Sequence, residues 1–418
     1  MTLRTYKRIK DFINKTPLEY NLRLSEIYGC NVFLKREDLQ ITRSFKIRGA
    51  LNKVLKNKDK YNKFVCASAG NHAQGVAYSC NLLNLKSKIY VPEITPFQKI
   101  NAILKQGNGN MELIKYGQTF DETLNYALKN KKEDELFIHP YDDNDIIEGH
   151  STIGFEILQD IKPDIILSCI GGGGLISGLF NYYDNDNVTN GKYYNGKYYN
   201  GNKDNNIDII GVEPLGADSM NVSLENNKII KIDDIDTFVD GASVSRVGER
   251  TFNICKRNNL DIKLVTNNEI CYNMIELYNN EGIITEPAGA LTVSGLSKLD
   301  KKYIKNKNVV CIVSGGNNDI MRYPEIMEKN LMYLNIKHYF IIEFNQKPNE
   351  LKIFINNVLS QNDDITRFEY IKKTNKSYGK VLIGIDTLDI ETLIYNMEKY
   401  DYKFIILEED NIIYNYLV

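Results

Sequence analysis

The chain has 418 residues, of which 43% are hydrophobic and 25% charged, and its formal net charge is −2. This is enough for two or three domains and is typical of a soluble globular protein. The charge gives no basic surface for nucleic acid or an anionic membrane, and the sequence suggests neither a signal peptide nor a bilayer-spanning segment. Seven dispersed cysteines lack metal-ligand spacing, which favours buried thiols in a reducing compartment. The expected location is the cytoplasm.

The first three quarters of the chain alternate short apolar runs with helical patterns. Residues 1–30 predict short helices, and an apolar run at Val32–Leu34 predicts the first buried strand. Further strands are predicted at residues 64–67, 89–92, 111–114, 136–139, 165–170, 207–212, 262–265 and 309–313. Helical patterns separate them, so the fold class is α/β with parallel sheets, and ligands are expected at the carboxyl ends of the strands.

Two later segments depart from this alternation. Asn190–Tyr194 repeats as Asn195–Tyr199, and the Asn-Gly pairs predict a mobile surface insertion at 190–203. Beyond about residue 335 the order becomes βαββαβ, with strands at 338–344, 365–371, 379–385 and 403–407 and helices at 349–359 and 390–398. We therefore predict a first domain at 1–330, containing an inserted smaller subdomain at about 35–145, and a separate α+β domain at 335–418.

The stretch Ser44-Phe45-Lys46-Ile47-Arg48-Gly49-Ala50 follows the first strand and opens a helical pattern. Ser44 is a plausible N-cap. Lys46 would then lie in the first turn, where the helix dipole disfavours a cation and lowers the pKa of an amine. Such an amine can serve as a free base.

Two more loops join a predicted strand to a predicted helix. Ser68-Ala69-Gly70-Asn71-His72 has small residues and free helix N-terminal amides that suit a carboxylate or phosphate. The run Gly171–Gly174 presents bare backbone N–H groups that suit a single phosphate, and its spacing matches neither a dinucleotide nor a Walker motif. Ser314 adds a hydroxyl after the strand at 309–313. Each loop taken alone could be a simple turn.

An amine, a phosphate cradle, a carboxylate-sized nest and a hydroxyl together suggest a lysine-bound pyridoxal phosphate. The motifs Ser-Phe-Lys-Ile-Arg-Gly-Ala, Ser-Ala-Gly-Asn-His-Ala-Gln-Gly, Gly-Gly-Gly-Gly-Leu and Ser-Gly-Gly-Asn, in this order, resemble the fold-type II pyridoxal-phosphate enzymes, and within them the threonine dehydratases. The segment Asn362–Tyr370 resembles the ACT-like regulatory domain of the biosynthetic form. The resemblance covers nearly the whole chain apart from the insertion.

The resemblance implies a role for each motif. Lys46 would bind the cofactor as an internal Schiff base and act as the catalytic base, Asn71 would contact the ring hydroxyl, and Ser314 would meet the pyridine nitrogen. The remaining expected contacts are the phosphate with the backbone of Gly171, Gly172, Gly173, Gly174 and Leu175, and the substrate carboxylate with the amides of Ser68, Ala69, Gly70, Asn71 and His72.

The implied reaction is β-elimination of L-threonine, and also L-serine, to a 2-oxo acid and ammonia. For threonine the product is 2-oxobutanoate, at the first step of isoleucine biosynthesis. The resemblance further implies inhibition by isoleucine through residues 335–418, opposition by valine, and a homotetramer.

Three alternatives stay open. Serine racemases resemble this chain but carry Ser where Ala69 stands, and that Ser is their second acid/base. Catabolic serine/threonine dehydratases generally lack this type of tail. An amino-acid-sensing protein with an inactive site is the third alternative, which the intact motifs disfavour.

The sequence leaves the roles of two carboxylates, Glu213 and Glu286, open. Glu213 and the carbonyl of Ala217 match the family's cation site, but Ser219 stands where racemases have an acid, which favours a monovalent over a divalent ion. A plain salt-bridging role for Glu213 is an equal alternative. Glu286 is expected to line the pocket without an assigned role, or to be a helix-start carboxylate.

Overall fold

The computed structural model describes residues 2–183, 192–194, 197–199, 207–370, 376–407 and 414. The chain divides into two compact units, Met1–Ile320 and Met321–Val418, which we call the first and the second unit. No helix in these described ranges is long and apolar enough to cross a membrane. All seven cysteines are buried, and none of them forms a disulfide.

All strands in the described residues except those at Leu18–Tyr20, Lys192–Tyr194 and Lys197–Tyr199 fall where the apolar runs predict them, with limits that differ by a few residues. In chain order they are β1 (Leu18–Tyr20), β2 (Asn31–Arg36), β3 (Lys63–Ala67), β4 (Lys86–Val91), β5 (Met111–Lys115), β6 (Glu135–Phe137), β7 (Ile165–Cys169), β8 (Lys192–Tyr194), β9 (Lys197–Tyr199), β10 (Asp208–Pro214), β11 (Asp261–Val265), β12 (Asn308–Val313), β13 (Lys337–Asn345), β14 (Asp364–Tyr370), β15 (Tyr378–Asp386) and β16 (Lys403–Leu407).

Helices connect most of these strands. They are α1 (Thr2–Ile9), α2 (Leu22–Tyr28), α3 (Lys46–Asn57), α4 (Asn71–Leu82), α5 (Phe97–Gly107), α6 (Phe120–Lys129), α7 (Asn144–His150), α8 (Thr152–Asp160), α9 (Gly174–Tyr183), α10 (Ser219–Glu225), α11 (Glu249–Arg257), α12 (Asn267–Glu281), α13 (Pro287–Gly295), α14 (Lys301–Ile304), α15 (Tyr323–Tyr333), α16 (Glu350–Asn357) and α17 (Ile390–Lys399). Short 3₁₀ turns lie at Glu37–Leu39, Leu296–Lys298 and Ile320–Arg322.

The first unit contains two sheets with crossover helices, in addition to the two-stranded β8–β9 sheet of the insertion. One has six strands in the order β1-β2-β12-β7-β10-β11, all parallel except the β1–β2 pair. The other has four parallel strands in the order β5-β4-β3-β6 and lies within the stretch where a smaller subdomain is predicted. The neighbouring strands β2, β12 and β7 run in the same direction, so the loops that follow them start at the same edge of the sheet, the one formed by the carboxyl ends of the strands. This edge carries three of the predicted site segments.

The second unit has the predicted α+β pattern. Its antiparallel sheet has the order β14-β15-β13-β16, and α16 and α17 contribute to its apolar core. Phe354 shows how that core is built: its ring centroid lies 5.1 Å from that of Phe344 and 5.3 Å from that of Tyr402. The predicted order βαββαβ, and with it the predicted fold class, is confirmed.

Three local expectations need comment. Residues 1–30 contain β1 in addition to helices. The helical pattern near residue 150 is broken at Ser151, because the hydroxyls of Ser151 and Thr152 donate to the carbonyls of Glu148 and Gly149 within the turn. In the insertion the structure describes the β8–β9 pair, and the expected mobility of 190–203 concerns residues that are mostly outside the described ranges.

Candidate active site

Lys46 is the first residue of α3, as the sequence predicts for its turn, but the cap differs from the expectation. Phe45 occupies the N-cap position without a side-chain cap bond, and the buried Ser44 hydroxyl has no partner within the described residues. The backbone is held instead by the loop after β12: Phe45 N donates to Ser314 O at 3.1 Å, and Ser44 forms a bridge with Gly315. The N-cap prediction for Ser44 is therefore wrong, because this long-range pairing fixes the start of α3.

A buried group of two cations and two anions anchors α3. Arg48 donates to both oxygens of Glu37 at 2.8 Å and to the oxygens of Glu156 at 2.7 and 2.8 Å. Lys35 Nζ donates to Glu156 Oε2 at 2.7 Å. All four side chains are fully shielded from solvent. Their formal charges cancel, and Arg48 lies two residues after Lys46, so the group fixes the helix that carries the amine.

The Lys46 side chain is partly buried, and its amine donates to the carbonyl of Pro140 at 3.0 Å. Burial lowers the pKa of Lys46 to about 8, against the opposing influence of Cys169 and Glu286. The predicted direction of the pKa shift is confirmed, but its cause is desolvation, whereas the sequence pattern predicts it from the helix dipole. The amine can therefore shed its proton near neutral pH.

Three of the four histidines lie close enough to Lys46 for its charge to lower their pKa values, in addition to burial. Burial lowers the pKa of His72 to about 3, and the pKa values of His139 and His150 are also lowered. The ring of His150 lies 4.8 Å from that of Phe45. These neutral rings surround the amine without adding charge. Sequence reasoning missed His139 and His150, which lie in no motif.

The glycine run between β7 and α9 is tightly packed. A Cβ on Gly172 would lie 2.2 Å from the ring of Tyr141, and one on Gly174 would lie 3.0 Å from Tyr141. Gly173 has φ +87°, and a Cβ there would lie 2.8 Å from Thr251. Each of these positions excludes a side chain, and Tyr141 follows the Pro140 carbonyl that accepts from Lys46.

The same run leaves donors free at the start of a helix. Within the described residues, the amides of Gly172 to Leu175 donate to no backbone carbonyl, and α9 begins at Gly174. Unpaired amides at a helix N-terminus bind phosphate well. The packing and the free amides together form a rigid cradle for a small anion.

The loop Ser68–His72 follows β3 and precedes α4, and it is more open. A Cβ on Gly70 would meet nothing within 4 Å. Two of the five expected amides are already used: Ser68 N donates to Tyr90 O and Gly70 N to Ser68 Oγ. The amides of Ala69, Asn71 and His72 have no acceptor in the described part of the chain. They are the ones left for a carboxylate.

Asn71 connects this loop to the first sheet. Its Nδ2 donates to Glu286 Oε1 at 2.7 Å, and its Oδ1 accepts from Asn317 Nδ2 at 2.7 Å. Asn317 Nδ2 also donates to Thr42 O at 2.9 Å. Ser314 is buried, and its hydroxyl donates to Ala288 O at 3.0 Å, which leaves its oxygen lone pairs to a neighbouring group. The structure therefore links Lys46, Asn71, the glycine run and Ser314 through contacts of residues next to them in the sequence or in space.

Glu213 is buried at the end of β10. Its two oxygens accept from Met220 N at 3.0 Å and Asn221 N at 2.8 Å, at the start of α10. Burial raises the pKa of Glu213 to about 8. No group of three or more His, Cys, Asp or Glu side chains in the described ranges could hold a metal ion. Among the described residues, both oxygens therefore pair with backbone amides and not with a cationic side chain, which does not support the salt-bridging alternative, and cation binding by Glu213 and Ala217 stays a prediction.

The residues present fit pyridoxal phosphate. The cradle offers free amides to its phosphate, Lys46 offers an amine with a lowered pKa to its aldehyde, and Asn71 retains one unused N–H for its ring hydroxyl. Comparisons with known proteins agree with this fit: residues 9–315 match the family described as pyridoxal-phosphate dependent enzymes. The chain belongs to this family. Residues 328–417 match the C-terminal regulatory domain of threonine dehydratase.

Curated relatives cover the whole chain. The biosynthetic L-threonine dehydratase of Bacillus subtilis is 43% identical over 424 residues, spanning 100% of this chain and 96% of that protein. The biosynthetic enzyme of Staphylococcus epidermidis is 44% identical, spanning 99% and 96%. These matches confirm the resemblance to threonine dehydratases with a regulatory tail.

Solved structures share the fold. Threonine deaminase isoform 2 of Solanum lycopersicum superposes with a TM-score of 0.69 at 35% identity, covering 79% of this chain and 92% of that one. Serine racemase of Dictyostelium discoideum superposes with a TM-score of 0.66 at 32% identity, covering 76% and 98%. Because both enzymes fit about equally well, the fold does not decide between elimination and racemisation, and the site residues must.

Proposed function

We propose that this chain is a threonine ammonia-lyase, which converts L-threonine to 2-oxobutanoate and ammonia by β-elimination and also acts on L-serine. The observation that carries the proposal is the partly buried Lys46 amine, which has a lowered pKa and donates to the Pro140 carbonyl. The full-length similarity to biosynthetic threonine dehydratases supports the choice of substrate.

Lys46 has two tasks in this proposal. Its amine would hold the aldehyde of the cofactor, and as a free neutral amine Lys46 would take the proton from the substrate Cα. When bound, pyridoxal phosphate supplies the electron sink that makes this proton acidic. The Pro140 carbonyl holds the free amine in place through the 3.0 Å contact, and the buried surroundings favour its neutral form.

The other loops orient the reactants. The cradle at Gly172 to Leu175 would bind the cofactor phosphate, and the free amides of Ala69, Asn71 and His72 would bind the substrate carboxylate. The open space beside Gly70 gives the substrate room next to those amides.

Position 69 favours elimination over racemisation. Racemisation requires a second group that delivers a proton to the opposite face of Cα. The methyl side chain of Ala69 cannot donate a proton, and it packs partly against the apolar core that includes Ala73 and Val76. An Ala69→Ser variant is the direct test: formation of D-serine from L-serine in this variant and not in the parent chain supports this reading.

The second unit is the proposed site of control. We expect isoleucine to bind residues 335–418 and to favour a less active state, with valine opposing it. Such coupling requires that the effector binds two states with different affinity. We also retain the homotetramer and cytoplasmic location as proposals; light scattering on the purified chain tests the first, because a tetramer has four times the mass of the chain.

The experiment is the release of 2-oxobutanoate from L-threonine by the purified full-length protein, with and without isoleucine. Turnover suppressed by isoleucine is the expected result. A variant lacking residues 335–418 should turn over threonine without responding to isoleucine. Absence of turnover in protein that carries the cofactor would overturn the proposed reaction, and inhibition that persists in the shortened variant would place the effector elsewhere.

A further inference from the structure

Glu286 is a buried carboxylate that the mechanism above does not use. It occupies the N-cap position of α13 and is 8% exposed. Its strongest contact is with an amide, since Oε1 accepts from Asn71 Nδ2 at 2.7 Å. Burial raises the pKa of Glu286 to about 7, against the hydrogen bond from Asn71. Burial of a carboxylate costs free energy unless its contacts compensate, so the question is which function its contact with Asn71 serves.

The contacts around Asn71 fix which end of its amide points where. Asn317 Nδ2 donates to Thr42 O and to Asn71 Oδ1, which uses both of its hydrogens. In its ionised form, which predominates above the raised pKa of about 7, Glu286 can only accept. If the Asn71 amide were reversed, its NH₂ group would face the NH₂ group of Asn317, and its oxygen would face the ionised Glu286 carboxylate. Neither pair could form a hydrogen bond. Within the described residues, this arrangement leaves one N–H of Asn71 without an acceptor.

We infer that Glu286 is a positioning residue that locks the Asn71 amide so that an N–H, and not the carbonyl, is presented to the ring hydroxyl of the cofactor. This inference rests on the pyridoxal phosphate site proposed above. A donor at that position stabilises the ionised ring hydroxyl, whereas a carbonyl would oppose it. Asn71 would touch the cofactor, and Glu286 would act through Asn71.

The contacts of Glu286 also explain why residue 315 is a glycine. A Cβ on Gly315 would lie 2.3 Å from Glu286 Oε1, and Glu286 N donates to the carbonyl of Gly315 at 3.2 Å. Gly315 is the residue that bridges Ser44, two positions before Lys46. The same short segment therefore fixes the start of α3 and leaves room for the carboxylate that orients Asn71.

The test uses full-length Glu286→Ala and Glu286→Gln variants and reads out cofactor binding without turnover. Each protein is titrated with pyridoxal phosphate, and the visible absorption of the loaded protein is followed against pH. In Glu286→Ala we expect the Kd for the cofactor to rise about tenfold, the loss of roughly one charge-assisted hydrogen bond, and the ionisation seen in the spectrum to move to higher pH. Glu286→Gln keeps an acceptor for Asn71 and should lie closer to the parent protein.

A double variant in which donor and acceptor are exchanged, called the reversed pair, distinguishes two roles of Glu286: orienting the Asn71 amide and stabilising the fold. In Asn71→Asp combined with Glu286→Gln, glutamine can donate to aspartate, so the hydrogen bond returns but no N–H is left for the cofactor. We expect thermal stability to recover relative to Glu286→Ala, while cofactor affinity and spectrum do not. Glu135→Gln is the control, because Glu135 is a buried carboxylate outside the site motifs that accepts from Lys132 N; its cofactor affinity and spectrum should stay unchanged.

Two results would overturn the inference: a Glu286→Ala protein with the parent's cofactor affinity and spectrum, or a reversed pair that recovers both. These readouts do not involve threonine. A parent protein that binds the cofactor normally but releases no 2-oxobutanoate would defeat the proposed reaction and leave the role of Glu286 intact.

Discussion

The loops at Ser68–His72 and Gly171–Gly174 have the same local design but opposite packing. Each follows a parallel strand, precedes a helix and has free amides at the helix start. In the glycine run, a Cβ on Gly172 would overlap the Tyr141 ring at 2.2 Å, whereas a Cβ on Gly70 would meet nothing within 4 Å. The tightly packed glycine run suits a group that stays bound, whereas the more open loop Ser68–His72 suits a group that enters and leaves at every turnover. This difference supports the proposal that the glycine run binds the cofactor phosphate and that Ser68–His72 binds the substrate carboxylate.

The largest expected effect comes from the amine that lies between the two loops. Lys46→Ala should lower threonine turnover by roughly a thousandfold or more, because it removes the catalytic base and the covalent attachment together. Both loops should keep their structure. The measurement is 2-oxobutanoate release, with Lys53→Ala as the control on the same helix, since Lys53 pairs with Asp143 and Asp145. Substantial turnover in Lys46→Ala would remove Lys46 from the chemistry.

The glycine run Gly171–Gly174 is tightly packed, so we expect that it tolerates no side chain at Gly172. Gly172→Ala forces a methyl group against the Tyr141 ring, and overpacking of this kind typically costs about 1–3 kcal/mol. We expect a lower melting temperature and weaker pyridoxal phosphate binding, measured by thermal unfolding and by titration. A variant with unchanged cofactor affinity would show that the cradle does not hold the phosphate.

The open loop should respond differently. Gly70→Ala adds a methyl group where the structure has space, so the fold and the cofactor affinity should be retained. The KM for threonine should rise, because the methyl group takes room beside the carboxylate amides, while kcat changes less. Steady-state kinetics and cofactor titration on the same preparation give the comparison with Gly172→Ala. Equal loss of cofactor affinity in the two variants would abolish the distinction between the loops.

Much of the fold could be predicted because its signals are local. The strand and helix order of residues 335–418 follows from apolar spacing and turns within each element, and it agrees with the structure almost residue for residue. The site motifs were also recognisable, since each lies in one short segment after a strand. Their neighbours were not: Asn71 and Glu286 are 215 positions apart in the sequence, and the Tyr141 ring that occupies the space above Gly172 belongs to another segment. The same reason explains the wrong cap at Ser44, whose backbone pairs with Gly315.

The smallest expected effect is a pH dependence that reports on the amine itself. Burial lowers the pKa of Lys46 to about 8, so the fraction of neutral amine rises as the pH increases through this value. As a base at Cα, Lys46 should make kcat increase with pH and level off above about 8. In Gly70→Ala this midpoint should stay in place, because the substrate nest does not touch the amine. A kcat that falls over this range would mean that the protonated amine is the active form, and Lys46 would then act as an acid.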